Sequence, residues 1–459
     1  MQIYDTLSGE KKPLPENGDK LKIFVCGPTV YDYAHIGNGR TYAAFDSIIR
    51  YLRSQRIKVY YLQNITDIDD KIIKRAAEEK KHPHTIANFF TRAYKQDMKA
   101  LGVVSVNKYA KATGYIRQIV KQIQTLEAKG HAYKIDGEGY YFDIATFADY
   151  GKLSRRTAEQ AEDSVSRIDE GINKRNKGDF CLWKFEKPGE PSWNTALGKG
   201  RPGWHIEDTA ITEYFFGPQY DIHGGGIDLK FPHHEAEIAQ QEAASGKKPM
   251  VKIWMHAGHL LVNSAKMAKS AGNFITIRDF LKKHPPVLFR YLVISHHYRS
   301  PLDYSDKLAE QTKNSIANLK QFLGKLWLVR NSEAGKLDVA DLLERSAKVF
   351  HAAMADDFNT PEALAAIFGV VNSVNQEIWN LSQRQAEVVA NWVTSLLESL
   401  GVELKFPHIP MKIRGLAKQR NLLRTNQQFV PADDLRKQIE ALGYIVDDTP
   451  AGPLILKKD

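Results

Sequence analysis

Residues 21–41 read Leu-Lys-Ile-Phe-Val-Cys-Gly-Pro-Thr-Val-Tyr-Asp-Tyr-Ala-His-Ile-Gly-Asn-Gly-Arg-Thr, and this stretch decides the fold class. Leu21–Cys26 is a short apolar run of the kind buried in a parallel sheet, and Gly27-Pro28 ends it abruptly. From Thr41 to Leu52 the spacing of Ile48, Ile49 and Leu52 predicts a helix. Lys58–Gln63 is strand-like again, and Asn64–Asp67 reads as a turn and cap into a helix from about Ile68 to Glu79. Strand, helix and strand in such short compass make a βαβ unit, hence a parallel sheet. Ligands of these sheets sit at the carboxyl ends of strands, where Cys26 and Thr66 fall.

Working outward, residues 150–202 break the pattern with runs rich in charge, Gly and Pro, such as Asn173–Gly178 and Lys187-Pro188-Gly189-Glu190-Pro191. They are expected to be an insertion between two halves of the sheet, which resumes around Trp204–Gly226. From about 306 to 402 the pattern is helical, with Leu364, Ile367 and Val371 on one face. After Phe406-Pro407-His408-Ile409-Pro410 the last segment mixes helices with a short extended tail.

Length and composition narrow the class. A chain of 459 residues allows several domains, and 43% hydrophobic content excludes a disordered chain. Lys+Arg 64 against Asp+Glu 54 gives a net charge of +10, which favours a polyanionic partner such as nucleic acid. Two distant cysteines, Cys26 and Cys181, exclude a disulfide scaffold and point to a reducing compartment. No signal peptide is visible at Met1–Asp5, and no apolar run approaches the ~18 residues of a membrane span. A cytoplasmic protein with no membrane association is expected.

Four constellations carry chemistry. His35 stands between the strand's loop and the helix that follows, where free backbone N–H groups and its own ring suit a phosphate. Lys266-Met267-Ala268-Lys269-Ser270, flanked by small residues, forms a cationic loop able to close on a triphosphate. In His223-Gly224-Gly225-Gly226-Ile227-Asp228 the glycines would let backbone approach a flat ring, and Asp228 could hold ribose hydroxyls. Pro232-His233-His234-Glu235-Ala236-Glu237 opens a helix with Pro in its first turn. His233 and Glu237, at i and i+4, share a face as two metal ligands on one helix must. Cys26 offers a thiolate from the strand end, and Glu207-Asp208 follows Gly203–Ile206.

In this order the pieces resemble class I aminoacyl-tRNA synthetases, and among them the cysteinyl-tRNA synthetase family. The resemblance runs essentially end to end. It rests on Cys26–Asp32, Asn64–Ile72, Gly200–Glu207, His223–Gly226 and Phe231–Glu235. It implies a Rossmann-type α/β catalytic domain in two halves, 1–114 and 201–250, separated by a connective insertion at 115–200. A stem-contact region at 251–305 with the lysine loop, a helical tRNA-binding domain at 306–402 and a C-terminal anticodon-binding domain at 403–459 would follow. The implied activity is ATP-dependent formation of cysteinyl-adenylate and transfer to tRNA(Cys). L-cysteine and ATP with Mg2+ would be substrates, and a monomer is expected.

Residue by residue, His35 and Asn38 resemble the ends of the family's His-Ile-Gly-His motif, with Gly37 between them. Lys266–Ser270 resembles Lys-Met-Ser-Lys-Ser, which makes Lys266 and Lys269 phosphate contacts. His223, Gly224, Gly225 and Asp228 would serve the nucleotide, and Gly27, Thr29, Thr66 and Trp204 the cysteine pocket. The resemblance implies one zinc ion per chain, and Cys26, His233 and Glu237 match three of its ligands.

Three positions depart from the family pattern. Asn38 replaces a histidine, Ala268 replaces a serine, and Asp208 stands where a second zinc cysteine is expected. An Asp keeps the formal ligand charge, since carboxylates also bind zinc. Cys181, in the strand-like run Asp179–Trp183, reads as a core residue rather than a substitute ligand. Two alternatives differ in acceptor or in kind. One is a paralogous ligase that transfers cysteine to an amino sugar–inositol in mycothiol synthesis; it resembles this chain only through the catalytic part and lacks the anticodon domain, whereas here residues 403–459 carry Lys412, Arg414, Lys418, Arg420 and Arg424 in one cationic segment. The other is a non-catalytic RNA-binding homologue, which would not need His35 and both lysines.

Overall fold

The computed structural model of the chain describes residues 1–16, 18–156, 173–268, 272–333 and 335–458. Five parallel strands form its central sheet, in the order Val251–Ala257, Tyr220–Gly226, Leu21–Val25, Val59–Ile65 and Lys108–Lys111. Successive strands step outward one way from Leu21–Val25, and the last two step outward the other way. The order therefore reverses between Leu21–Val25 and Tyr220–Gly226, and a crevice opens at the carboxyl ends of that pair. Ile23, Phe24 and Val25 are buried, as the apolar run requires of a strand covered on both faces.

The first helix is longer than its apolar spacing predicts, running from Ile36 to Ser54. His35 caps it: its Nδ1 accepts from the Asn38 N–H while Asn38 Oδ1 accepts from the His35 N–H, a reciprocal pair that starts the helix ahead of Thr41. Downstream the strand persists to Ile65, and Asp69 caps a helix over Asp70–Glu78, so Asn64 belongs to the sheet and not to a turn.

The described part of the insertion forms a layer of its own. Helix Ile116–Ala128 leads into an antiparallel sheet in the order Ala132–Ile135, Gly139–Phe142, Phe180–Phe185, Gly198–Pro202 and Trp193–Thr195. Cys181 packs there with Tyr133, Ile135 and Tyr141, a core position. The central sheet does not resume at Trp204: a helix over Ile206–Phe216 comes first, ends at Gly217 (φ 82°), and the strand starts at Tyr220. Pro232 sits just ahead of the next helix, His233–Ser245, and not within its first turn.

Arg40, 1% exposed, anchors the first helix. Its guanidinium donates to the carbonyls of Gly258, His259, Tyr298 and Ser300. Burial lowers its pKa to about 10, so it stays charged at neutral pH.

The chain packs as two units, Met1–Leu281 with Tyr298–Asp303, and Lys282–His297 with Tyr304–Asp459. Lys282–His297 thus leaves the 251–305 segment in which the sequence placed it. Leu288, Phe289 and Leu292 of helix Pro286–Ile294 are buried, and Arg290 donates to the carbonyls of Leu400 and Gly401. Helices Asp306–Leu326, Val339–Ala355, Thr360–Glu377 and Gln383–Ser399 follow. Helices Met411–Thr425 and Phe429–Ala441 then lead into a hairpin of Tyr444–Thr449 and Gly452–Lys457, more than the extended tail expected. Gln321 holds this hairpin through Asp447 (2.6 Å). Arg420 is fully buried and pairs with Asp448, so it leaves the row of solvent-facing cations; Lys412, Arg414 and Lys418 remain exposed.

Arg40→Met is expected to lower unfolding free energy by roughly 3–5 kcal/mol, because removing one buried charge strands the carbonyls it serves. A urea midpoint equal to that of the parent chain would contradict this role.

Candidate active site

A cleft of about 300 Å³ opens at the predicted crevice. Among the residues expected at the site, Cys26, Gly27, Thr29, His35, Gly37, Asn38, Thr66, Trp204, Asp208, Asp228, His233 and Lys266 line it. Lys269 lies outside the described residues. The loop after the first strand is joined to the second strand's end by paired backbone bonds, Val30 N–H to Thr66 O and Thr66 N–H to Pro28 O, both 3.2 Å.

One end of the cleft suits phosphates. The His35 Nδ1 is occupied by the helix cap, which leaves Nε2–H as the donor. Burial pulls the His35 pKa down, against the opposing pull of Asp228, so the ring is neutral at physiological pH. Asn38 spends its carbonyl oxygen on the cap and keeps its amide donor end. Lys266 is exposed on a hairpin of Leu260–Val262 and Ala265–Lys266, and Asn273 braces it by accepting from Ala268 N–H (2.9 Å) and donating to Lys266 O (3.2 Å). The segment beyond returns to the His35 loop: Ile36 N–H donates to Ile275 O (3.0 Å) and Ile277 N–H to Ala34 O (2.9 Å). Two motifs far apart in sequence are thus stitched by main chain.

At the other end a buried cluster forms. Cys26 Sγ lies 3.3 Å from Asp208 Oδ2 and 3.6 Å from Glu237 Oε1, and His233 Nε2 lies 3.0 Å from each of those oxygens. The i,i+4 spacing of His233 and Glu237 brings them together on one helix face. Asp208 comes from the first turn of helix Ile206–Phe216, and Cys26 from the end of the first strand.

Burial pushes the Cys26 thiol well above its usual range, and Glu237 and Asp208 push it further. Burial alone would lower the His233 pKa, yet the same two carboxylates raise it to about 10. Burial raises Glu237 to about 8 against the pull of His233. Asp208 Oδ1 and Glu237 Oε2 are buried without hydrogen-bond partners. Three acidic groups around one imidazole, with orphaned oxygens, are a donor set that fits a divalent cation.

The glycine-rich run departs from expectation. His223 is fully buried, absent from the cleft wall, and its Nε2 lies 3.4 Å from Cys26 Sγ. Gly224 and Gly225 answer to packing: a Cβ on Gly224 would collide with the Phe45 ring, and one on Gly225 would come within 2.8 Å of His234. Only Gly226 and Asp228 of that run face the cleft.

Sequence reasoning assigned no role to Glu207 or His234. Thr66 Oγ1 donates to Glu207 Oε1, tying the pocket wall to the residue beside Asp208. His234 Nε2 lies 3.2 Å from Cys26 Sγ. Its i,i+3 spacing to Glu237 was a usable signal. Trp204 stacks on the His233 ring (centroids 4.6 Å, planes 18° apart), covering the cluster with an apolar face.

With this geometry, residues 13–314 match the tRNA synthetases class I (C) catalytic domain, and residues 349–405 match the DALR domain. The chain belongs to the class I tRNA synthetase family. A cysteine–tRNA ligase of Thermococcus gammatolerans is 41% identical over 471 residues, covering 98% of each chain. A cysteine–tRNA ligase of Coxiella burnetii is 41% identical over 463 residues, covering 98% of this chain and 99% of that one. Mycobacterium tuberculosis methionyl-tRNA synthetase in complex with methionyl-adenylate superposes with a TM-score of 0.65 over 83% of this chain and 92% of that one. At 15% identity this last likeness concerns the fold alone. Among the described residues, no helix of this synthetase is long and apolar enough to cross a membrane.

In this synthetase Asp208→Asn is expected to weaken divalent-metal binding by at least the ~10–100-fold that loss of an outer-shell partner costs. Asp208→Cys is expected to retain it. Competition against a chromogenic chelator measures both, and equal affinity for parent and Asn variant would remove Asp208 from the ligand set.

Proposed function

We propose that the chain is a cysteine–tRNA ligase that activates L-cysteine with ATP and transfers it to the terminal ribose of tRNA(Cys). The observation that carries this reading is the Cys26/Asp208/His233/Glu237 cluster opening into the same cleft as His35 and Lys266. These four residues would hold one zinc ion. Bound there, zinc supplies a thiophilic Lewis-acid position that prefers a substrate thiolate to the hydroxyl of serine. Shape alone discriminates two side chains differing by one atom poorly, by roughly 10–200-fold.

The remaining work falls to the protein's own groups. Trp204 and Thr66 wall the amino-acid pocket, and Trp204 excludes water from the His233 side. The cysteine carboxylate attacks the ATP α-phosphate, breaking the bond to the β-phosphate so that pyrophosphate leaves and cysteinyl-adenylate forms; the terminal ribose hydroxyl of the tRNA then attacks the cysteinyl carbonyl, and AMP leaves. The His35 Nε2–H, Lys266 and Lys269 offset the charge that develops on the phosphates, with Mg2+ accompanying ATP. Asp228, facing the cleft beyond Gly226, suits the ribose hydroxyls. Exposed Lys412, Arg414 and Lys418 and the net charge of +10 support a phosphate-backbone partner. A monomeric, cytoplasmic enzyme accords with this reading.

Charging of tRNA(Cys) with labelled cysteine, alongside a serine control, tests it. Cysteine-dependent ATP–pyrophosphate exchange without charging would point to another acceptor, and the absence of both exchange and charging would overturn the reading. His35→Asn should preserve the helix cap, and hence stability, while slowing adenylate formation by about 10²–10³-fold. His35→Ala should lose both, with roughly 1 kcal/mol of stability gone as well.

A further inference from the structure

Beyond the lysine hairpin the chain returns to the cleft before it turns into helix Ile277–Lys283. On the way it pairs with the His35 loop. His35 and Thr276 form an antiparallel bridge, and the Phe274 ring meets the His35 ring edge-on (centroids 5.3 Å, planes 75° apart). Two main-chain bonds, one on each side of that bridge, fix the register of the contact. They leave its pitch free, because two bonds flanking one residue pair define a line about which the segment can rotate. A contact away from that line is needed to stop the rotation, and Arg278 makes one.

Arg278 Nε donates to Asp97 Oδ1 (2.8 Å), and its guanidinium lies over the Tyr33 ring, 4.5 Å from the centroid. Asp97 belongs to helix Pro83–Ala100, and its side chain is 5% exposed. Among the described residues its Oδ2 has no hydrogen-bond partner, so this buried carboxylate relies on Arg278. Tyr33 stands two residues before His35, lines the cleft and packs edge-on against Phe90 of the same helix (5.2 Å). Arg278 does not itself line the cleft. Within the Met1–Leu281 unit, one side chain thus clamps the segment beyond the lysine hairpin to the His35 loop and to helix Pro83–Ala100. A planar guanidinium suits this double task, since its face stacks on a ring while its edge donates in plane.

We propose that Arg278 is a positioning residue for adenylate formation, setting the pitch at which the lysine loop meets the phosphates at His35. The inference rests on the cysteine–tRNA ligase reading and adds to it a residue that touches no substrate. Charge developing on the phosphates is offset only by cations already in place, so a small tilt of the loop's anchor costs rate. None of the Arg278 contacts is to Thr66, Trp204 or the Cys26 cluster, so cysteine binding is untouched.

The test is cysteine-dependent ATP–pyrophosphate exchange by the full chain, with rates normalised to the sites that form adenylate in a single turnover. Arg278→Ala is expected to lower kcat by roughly 10²-fold, as misplacing a group remote from the chemistry does, with KM for cysteine unchanged. Arg278→Lys should recover part of the loss, because an ammonium keeps the charge but not the planar stack. Asp97→Asn acts through the same clamp, so adding it to Arg278→Ala should lower kcat no further. A kcat in Arg278→Ala equal to that of the parent would overturn the inference. So would a loss that normalisation removes, or losses from the two substitutions that simply multiply. Where thermal unfolding shows that Arg278→Ala does not fold, Arg278→Lys and Asp97→Asn carry the same comparison. A parent that neither exchanges nor charges would overturn the ligase reading and the inference with it, whereas an active parent with an unaffected variant overturns the inference alone.

Discussion

Burying Cys26, Asp208 and Glu237 together is the constraint on which the catalytic unit depends. Each anion alone is costly to remove from water, and three within hydrogen-bond reach are tolerable only around a cation. Without a metal, the thiol keeps its proton and His233 takes one, held by the two carboxylates up to about 10. The fold has to bring these groups together from a strand end, the first turn of one helix and the first two turns of another. That is what the reversed strand order achieves, since it sets the carboxyl ends of Leu21–Val25 and Tyr220–Gly226 side by side.

The same arrangement couples the two ends of the cleft. Cys26 and His35 bracket one loop, so the thiol-selective end and the phosphate end are held by a single short segment. The loop is pinned twice by backbone, to Thr66 on the neighbouring strand and to Ile275 and Ile277 beyond the lysine hairpin. Arg40 secures the helix that leaves the loop, donating from a buried guanidinium to the carbonyls of Gly258, His259, Tyr298 and Ser300. Main-chain bonds and one buried guanidinium therefore position chemistry that side chains perform.

Much of this was legible in the sequence. The apolar run Leu21–Cys26, the helical spacing after Thr41 and the second strand gave the parallel sheet, because burial on both faces leaves an uninterrupted apolar signature. The His233–Glu237 pair was legible because helical periodicity alone places them on one face. The start of the first helix was missed because its cap is a histidine, and Ile36-Gly37-Asn38-Gly39 carries no apolar period. Arg420 was read as a surface cation because nothing local marks its pairing with Asp448 across the hairpin.

Identities and local periods determine which residues are able to do chemistry: a thiol at a strand end, a His and Glu one turn apart, a histidine between a strand's loop and the helix after it, a lysine loop. Those follow from the chain itself, since they depend on neighbours within a few positions. Which face His223 presents, that Glu237 splits its oxygens between two imidazoles, and that Gly224 and Gly225 serve Phe45 and His234 were decided only by the tertiary structure. Each depends on groups that the reversed sheet brings together from distant parts of the chain, and no local pattern encodes such a meeting.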